Sequence, residues 1–249
     1  MKECVLTVEK TKFVTPTVAE MTLSGDIPPF VAGQFLHISV PGFMLRRPFC
    51  ITQGDSCSVT VLFAVVGAGT AALSKIAAGT KLNAILPIGN GFPVPAHAKN
   101  VLVIGGGLGV APLLPVLAQH RELHYKVLLG FGSAAQAVET DEFRRYTEDV
   151  TVATDDGSAG YKGRVTELAR EVLKEYRPDV VYVCGPTPMI RAAQSVDFGC
   201  PAYVSMEARM GCGVGACLVC TCPVKHGETV GNVRVCVDGP VFPLADVVV

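Results

Sequence analysis

Residues 1–96 alternate apolar and polar positions over short segments, which is the pattern of half-buried β-strands. The alternation predicts strands at 5–11, 35–40, 58–66 and 81–86, separated by turns rich in Pro and Gly. One helix is predicted at 71–78, with Thr70 as its N-cap and Gly79 just after its end. Short strands at this spacing indicate a small antiparallel β-barrel.

The pattern changes at residue 97, where continuous apolar segments begin to alternate with segments of helical length. The predicted strands are 101–104, 126–129, 150–154, 180–183 and 202–205. A helix is predicted at 164–176, because its apolar residues recur at helical spacing, and another begins at Thr187 and Pro188. This alternation indicates a parallel sheet with helices on both faces.

After Ser205 the chain becomes rich in Gly and Cys, and the remaining segment is too short to form a core of its own. A metal centre would supply the missing stabilisation. We therefore predict a multidomain β + α/β fold. It consists of an antiparallel β-barrel domain (1–96), a parallel-sheet α/β domain (97–204) and a small metal-binding domain (205–249).

Composition and charge limit the classes of partner. The 249 residues carry a net charge of −1 at pH 7 and no block of basic residues, so nothing favours nucleic acid or an anionic membrane. The N-terminus lacks an export signal, and four Gly and two Pro interrupt the longest apolar stretch, 101–118. We therefore expect a cytoplasmic protein. Because 49% of the residues are hydrophobic, we also expect another chain to cover part of its apolar surface.

The ten cysteines fall into two groups. Those at positions 4, 50, 57, 184 and 200 lie in apolar surroundings and are typical of small buried side chains. Cys212, Cys217 and Cys220 form the pattern Cys-x4-Cys-x2-Cys, and Cys236 follows them at a distance. This is the plant-type ferredoxin spacing, which predicts a [2Fe–2S] cluster on these four residues. Glycines at 211, 213 and 215 would permit positive φ, so that amide N–H groups can point at the sulfurs.

Two other uses of these cysteines stay open, a zinc site and structural thiols. Zinc sites favour paired Cys-x2-Cys segments, and the sequence has one. Cys222 is expected to be a bystander, since it would point to the side of an extended segment opposite the neighbours of Cys220. His226 is expected at the surface, because a Rieske site needs two histidines.

Two further segments carry features of a dinucleotide site. A glycine turn at 105–107 follows a predicted strand, where it would let a phosphate approach a helix N-terminus. Its spacing departs from the Rossmann fingerprint, so a tight packing turn remains the alternative. A Cys-Gly-Pro segment ends the fourth parallel strand, at the edge of the sheet where ligands bind. The residues expected at the dinucleotide are Gly105, Gly106, Gly107, Cys184, Gly185 and Pro186.

Several longer motifs occur in a fixed order along the chain. They are Arg-Pro-Phe-Cys at 47–50, Gly-Thr at 69–70, Gly-Asn-Gly-Phe-Pro at 89–93, Gly-Gly-Gly at 105–107, Cys-Gly-Pro-Thr-Pro-Met at 184–189, Ser-Met-Glu-Ala-Arg-Met-Gly-Cys at 205–212 and Val-Cys-Val-Asp-Gly-Pro-Val-Phe at 235–242. Together they resemble the electron-transfer subunits of type B dihydroorotate dehydrogenases, within the ferredoxin–NADP reductase superfamily. The resemblance covers essentially the whole chain, and its C-terminal motif is highly specific.

The resemblance implies a barrel that binds FAD, an α/β domain that binds NAD and a C-terminal [2Fe–2S] domain. It implies the four cluster ligands named above and a set of residues along the flavin. The flavin residues are Arg47, Pro48, Phe49, Cys50, Leu62, Phe63, Ala64, Gly69 and Thr70. The implied partner is an FMN-containing catalytic subunit that oxidises dihydroorotate in pyrimidine biosynthesis, in a heterotetramer with two copies of each subunit. Electrons would reach NAD⁺ from that FMN through the cluster and FAD.

The sequence departs from the family pattern at two flavin positions. The family usually has a serine at position 50, whose hydroxyl can hydrogen-bond the N5 edge of the flavin. The cysteine here is a weaker donor, so we expect a shifted flavin potential. The family also tends to have an arginine where Ala64 stands, which places more weight on Arg47.

Two questions about partner and acceptor follow. The segment Ser-Ala-Ala at 133–135 offers no cation for a 2′-phosphate, which favours NAD over NADP. The alternative functions are an electron-transfer subunit of a ferredoxin–NADP reductase-like or sulfide dehydrogenase complex, and a zinc-bound regulatory module without redox chemistry.

Overall fold

The computed structural model describes residues 1–249, except for the side chain of His226. The expectation that His226 is a surface residue concerns that side chain and lies outside the described residues. No helix among the residues described combines the length and the apolarity that crossing a bilayer requires.

The N-terminal third forms a closed antiparallel barrel of six strands, in the order β1-β2-β5-β4-β3-β6. The strands are β1 (Lys2–Thr15), β2 (Val18–Ser24), β3 (Phe35–Ile38), β4 (Arg47–Gly54), β5 (Ser58–Ala64) and β6 (Lys81–Ile88). Their alternating side chains fill the barrel with a core that includes Leu6, Leu36 and Phe63. The β2 strand has no counterpart among the segments that alternation predicted.

Helix α1 (Ala68–Leu73) follows β5 and begins earlier than predicted. Its N-cap is Gly67, in extended conformation, and not Thr70. The Thr70 hydroxyl lies in the first turn and accepts the amide N–H groups of Val66 and Gly67, at 3.1 and 3.2 Å. Threonine at this position reaches back to the helix start as the third residue of a capping box does, so the predicted cap was wrong by one turn.

The central part of the chain forms a sheet with the order β10-β9-β8-β7-β11-β12-β15. Its parallel strands are β7 (Asn100–Gly106), β8 (His124–Phe131), β9 (Val150–Thr154), β10 (Tyr161–Lys162), β11 (Val180–Cys184) and β12 (Ala202–Ser205). The helices are α2 (Leu114–Gln119), α3 (Thr140–Arg144), α4 (Val165–Val172) and α5 (Thr187–Ala193). Strand β7 supplies side chains to both faces, Leu102 to one core and Val103 to the other. The predicted barrel and helix-covered parallel sheet are thus confirmed.

Two helix predictions in this sheet need correction. The glycine turn after β7 opens a 3₁₀ segment, Gly107–Leu113, before α2 begins, and Pro112 within it has no N–H for an α-helical hydrogen bond. Helix α4 ends at Val172, four residues before the predicted end, although hydrogen-bonded turns continue to Tyr176.

The C-terminal segment does not pack separately from the rest. It contains a hairpin of β13 (Thr221–His226) and β14 (Thr229–Arg234), followed by β15 (Val241–Pro243). Strand β15 pairs antiparallel with β12 and extends the sheet, with Phe242 opposite Val204. Cys220 and Cys236 share a core with Phe35 and Ile88 of the barrel. The segment that the sequence indicated to be too small for its own core therefore uses the cores of its neighbours.

Candidate functional site

The residues expected along the flavin lie on β4 and β5, where side chains alternate between the two faces of the barrel wall. Phe49 and Phe63 point into the barrel core, and their rings lie 5.2 Å apart. Leu62 packs on the side of the central sheet, and Ala64 lines a cavity between the barrel and that sheet. Alternation therefore leaves only the main chain of Phe49 and Phe63 available to a ligand. We call β4 the flavin strand below.

Arg47 begins the flavin strand and lies against the start of α1. A Cβ atom built on Gly69 would come within 2.7 Å of its guanidinium Nη2, so only glycine allows this approach. The guanidinium also lies over the Phe43 ring at 5.5 Å and donates to the Leu45 carbonyl at 2.5 Å. The fold thus brings Arg47 to Gly69 and Thr70, as a diphosphate site would require.

The half-buried thiol of Cys50, the buried thiol of Cys184 and the carboxyl of Glu207 lie near one another where the barrel faces the sheet. Burial raises the pKa of Cys50 to about 12, and the nearby Glu207 carboxylate adds to this. Burial likewise raises the pKa of Cys184, which also interacts with Glu207, Cys50 and the Ser205 hydroxyl. Both thiols therefore stay protonated near neutral pH. Glu207, whose own pKa burial raises, was missing from the predicted site although its motif had been recognised.

A cavity of about 540 Å³ lies at the carboxyl ends of the central strands, where dinucleotides bind in open α/β sheets. Of the predicted dinucleotide residues, Gly106, Gly107 and Pro186 line it. Behind this lining lie Gly105, which packs on Val110, and Cys184, which is 1% exposed.

Several of these glycines are required by close packing. A Cβ on Gly106 or Gly185 would lie within 2.6 Å of the Met189 side chain, and one on Gly109 would lie 2.5 Å from the main chain of Cys184. Close packing therefore requires glycine at 105, 106 and 185, and their assignment to a dinucleotide stays a prediction. Gly107, with φ of +55° and no atom near a built Cβ, is free to face the cavity.

The sequence interpretation missed two charged residues of this cavity, Asp155 and Arg164. Asp155 follows the carboxyl end of β9, and Arg164 immediately precedes α4. The rule that ligands bind beyond the carboxyl ends of parallel strands could have found Asp155. Arg164 places a positive charge at this cavity, whereas the segment 133–135, where a cation was looked for in the sequence, has none.

The segment 211–220, called the cluster loop below, holds three of the four predicted ligands. The amides of Val214 and Cys217 donate to Cys212 Sγ at 3.4 Å, and the Cys212 amide donates to Cys217 Sγ at 3.3 Å. Cys220 Sγ lies 3.2 Å from Cys236 Sγ, with both side chains buried. Among the described residues, no three His, Cys, Asp or Glu side chains converge as they would on one metal ion.

The glycines of the cluster loop differ in what they permit. Gly213 and Gly215 have φ of +71° and +83°, as expected for a loop that wraps a cluster. Gly211 does not have positive φ, and a Cβ there would make a tight contact of 3.1 Å with Cys217 Sγ. Amide donors, first that of Val214, lower the pKa of Cys212 to about 6, so the loop stabilises a thiolate. Four thiols in one region, two of which accept backbone N–H donors at their sulfurs, fit a [2Fe–2S] cluster.

Cys222 lies on β13 with its side chain 8% exposed. It faces the same core as Cys220, and burial raises its pKa. That it does not bind the cluster stays a prediction.

Exposed apolar side chains surround the cluster loop. They are Val214, Leu218, Val219 and Val237, which are between 43% and 61% exposed, and Cys217 lies among them at the surface. Leu218 has φ of +59°, a conformation that is uncommon for a residue with a side chain. We call this surface the apolar rim.

Comparison with known proteins places both the sheet and the cluster loop in described families. Residues 207–248 match the iron–sulfur cluster binding domain of dihydroorotate dehydrogenase B, and residues 103–195 match the oxidoreductase NAD-binding domain. Curated relatives named "Dihydroorotate dehydrogenase B (NAD(+)), electron transfer subunit" include those of Bacillus caldolyticus and Streptococcus thermophilus. Each is 39% identical over 254 residues, which cover 98% of this chain and 97% or 98% of the relative.

Solved structures show the same architecture. A chain of the NADH-dependent reduced ferredoxin–NADP oxidoreductase structure, 27% identical, superposes with a TM-score of 0.86 over 97% of this chain and 89% of its own. The ferredoxin reductase of carbazole 1,9a-dioxygenase, at 22% identity and a TM-score of 0.66, covers 77% of this chain and 64% of its own and shares the fold.

Proposed function

This chain belongs to the family of dihydroorotate dehydrogenase B electron-transfer subunits, and on that premise we propose that it passes electrons from an FMN-containing catalytic subunit to NAD⁺. FAD and a [2Fe–2S] cluster supply the redox chemistry when bound. FAD couples single-electron transfer to hydride transfer, and the cluster relays single electrons. The catalytic subunit would oxidise dihydroorotate to orotate in pyrimidine biosynthesis.

The observation that carries this proposal is the direct packing of the cluster loop on the barrel. Phe35 and Ile88 of the barrel share one buried core with Cys220 and Cys236. Phe35 is also paired with Cys50 of the flavin strand. This packing supports a cluster site next to the flavin strand, as electron transfer between the two cofactors would require.

The chain's own residues bind and orient the cofactors. We assign Arg47, Gly69 and Thr70 to the FAD diphosphate, because the guanidinium lies against the glycine turn. The outward side chains of β4 and β5 would lie along the flavin ring system, next to the protonated thiols of Cys50 and Cys184. The cavity with Gly107 and Arg164 is assigned to NAD, and the cluster to Cys212, Cys217, Cys220 and Cys236.

We assign the apolar rim to the catalytic subunit. Exposed valine and leucine side chains around an exposed ligand thiol allow close approach, and covering them removes apolar surface from water. The complete assembly is proposed to be a cytoplasmic heterotetramer with two copies of each subunit.

Coexpression with a candidate dihydroorotate dehydrogenase catalytic subunit tests the function. We expect copurification, a cofactor count of one FAD and one [2Fe–2S] cluster per copy of this chain, and NADH formation that depends on dihydroorotate. Native mass spectrometry of the complex measures the stoichiometry. Copurification with a different dehydrogenase, without dihydroorotate-dependent NADH, would contradict the assignment.

A second candidate is a subunit of a ferredoxin–NADP reductase-like complex, favoured by the superposition on the NADH-dependent reduced ferredoxin–NADP oxidoreductase. Reduction of NADP⁺ by reduced ferredoxin in the purified complex would support it. A colourless protein with stoichiometric zinc would instead indicate the regulatory module.

A further inference from the structure

His37 is a buried histidine between the two cofactor sites, and nothing in the function above makes use of it. It lies on β3 with 0% exposure and is paired with Pro48 of the flavin strand. Phe35, two residues earlier on the same face of β3, packs in the core that contains Cys220. His37 therefore lies in the layer between the flavin strand and the cluster loop.

The ring of His37 faces the turn that carries the first predicted ligand. A Cβ on Gly213 would come 2.5 Å from Nδ1, so the ring packs directly on this glycine. Gly213 lies between Cys212 and Val214, whose amide donates to the Cys212 thiol. A shift of the ring would therefore move the donor that orients a ligand.

Neither ring nitrogen makes a hydrogen bond of standard geometry to the described residues. A buried polar group without a partner costs free energy of folding, and a leucine of similar volume would pack here without that cost. Burial lowers the pKa of His37, which the carbonyl groups of Arg46 and Cys212 partly offset. A neutral ring still carries one N–H donor, and Nδ1 lies against the backbone of Gly213, the residue after the predicted ligand Cys212.

Building on the proposed cluster site, we propose that His37 is a positioning residue for the cluster. The ring N–H of His37 donates to the Cys212 turn, including the sulfur acceptors there. The ring also holds this turn against β3, the strand that pairs with the flavin strand. A donor to cluster sulfur stabilises the more negative, reduced state, so His37 raises the reduction potential of the cluster. A barrel residue thereby tunes a cofactor bound by the C-terminal segment.

Two variants test the donor. His37→Leu removes both ring nitrogens at similar volume, and His37→Asn keeps an N–H near the position of Nδ1. Cluster and flavin potentials are measured separately by spectroscopic redox titration of the copurified complex. We expect His37→Leu to lower the equilibrium constant for cluster reduction about tenfold, ~59 mV for one electron, and to leave the FAD potential unchanged. His37→Asn should recover most of this change.

An unchanged cluster potential in His37→Leu overturns the proposal, and so does a His37→Asn shift as large as that of His37→Leu.

If neither variant binds a cluster, the proposal is tested on the wild-type complex by pulsed EPR. Protein labelled with ¹⁵N-histidine should show weak nitrogen coupling to the reduced cluster in pulsed EPR, and His226→Gln, the control, should retain it. No coupling in the loaded wild type overturns the proposal. Failure of the function itself is recognised separately, by the absence of dihydroorotate-dependent NADH in the wild type.

Discussion

Replacing Glu139 by Gln should stabilise the protein, and more at high pH than at low pH. Glu139 immediately precedes α3 and lies near Glu20 and Lys12 of the barrel. Burial raises its pKa to about 7, the carboxylates of Glu20 and Glu142 add to this, and Lys12 opposes it. Its Oε2 has no hydrogen-bond partner among the described residues. Glutamine has the same shape and the same tolerance of the local φ of +61°, so the substitution removes chiefly the charge.

The sign and the size follow from the two pKa values. The folded state binds the proton more tightly than the unfolded state, so ionising Glu139 opposes folding. This cost is small below the ordinary pKa of 4.5, grows as the pH rises to about 7 and is complete above it. At 1.36 kcal/mol per pKa unit, the full cost is at most about 3.4 kcal/mol. Because the side chain is partly exposed, we expect Glu139→Gln to gain about 1–3 kcal/mol at pH 8 and less than ~1 kcal/mol at pH 5.

Thermal unfolding of the FAD-loaded protein at pH 5 and pH 8 measures the effect. One kcal/mol shifts the midpoint of a chain of this size by roughly 2–4 °C, so the gain at pH 8 is several degrees. Glu148→Gln, which removes an exposed carboxylate from the same region, is the matched control and should change little at either pH. Equal midpoints of Glu139→Gln and wild type at pH 8, or a larger gain at pH 5, would refute the reasoning.

Three further predictions concern the cofactor sites. Cys217→Ser should lose the visible and EPR signals of the cluster, whereas Cys222→Ser should keep them; loss in both variants would make Cys222 a ligand. Arg47→Ala should weaken FAD binding by about 10- to 100-fold, as expected for a charge-assisted hydrogen bond, with Arg47→Lys intermediate in fluorescence titrations; unchanged affinity would remove Arg47 from the site. Arg164→Ala should raise KM for NADH in a dye-reduction assay about tenfold with kcat and FAD content unchanged, and a fall in kcat alone would contradict the assignment.

Local sequence pattern predicted most of the fold, because each signal is contained in a few neighbouring residues. Alternation over 58–66 and apolar runs such as 126–129 correspond to β5 and β8. Boundaries were less accurate. The cap of α1 was placed at Thr70, since a threonine can cap from its own position or from the third residue, and only the backbone distinguishes the two.

The candidate site was predictable where chemistry depends on spacing, as in the cluster loop. It was not predictable where distant segments meet. Glu207 and Cys50 are separated by most of the chain, and the interaction between them exists only because the C-terminal segment packs where the barrel meets the sheet. Arg164 precedes a helix that no dinucleotide motif marks, and only the sheet order brings it to the cavity.

By itself, the sequence determined the order of the elements, the classes of fold and the identity of the four candidate ligands, since each depends on periodicity or short spacing. The tertiary structure alone decided which glycines serve packing, which flavin-strand side chains face outward and that His37 lies against Gly213. These features depend on closing a barrel, where one residue of shift moves every side chain to the other face, and on packing three segments into shared cores. Such contacts join residues far apart in the chain, and no local pattern records them.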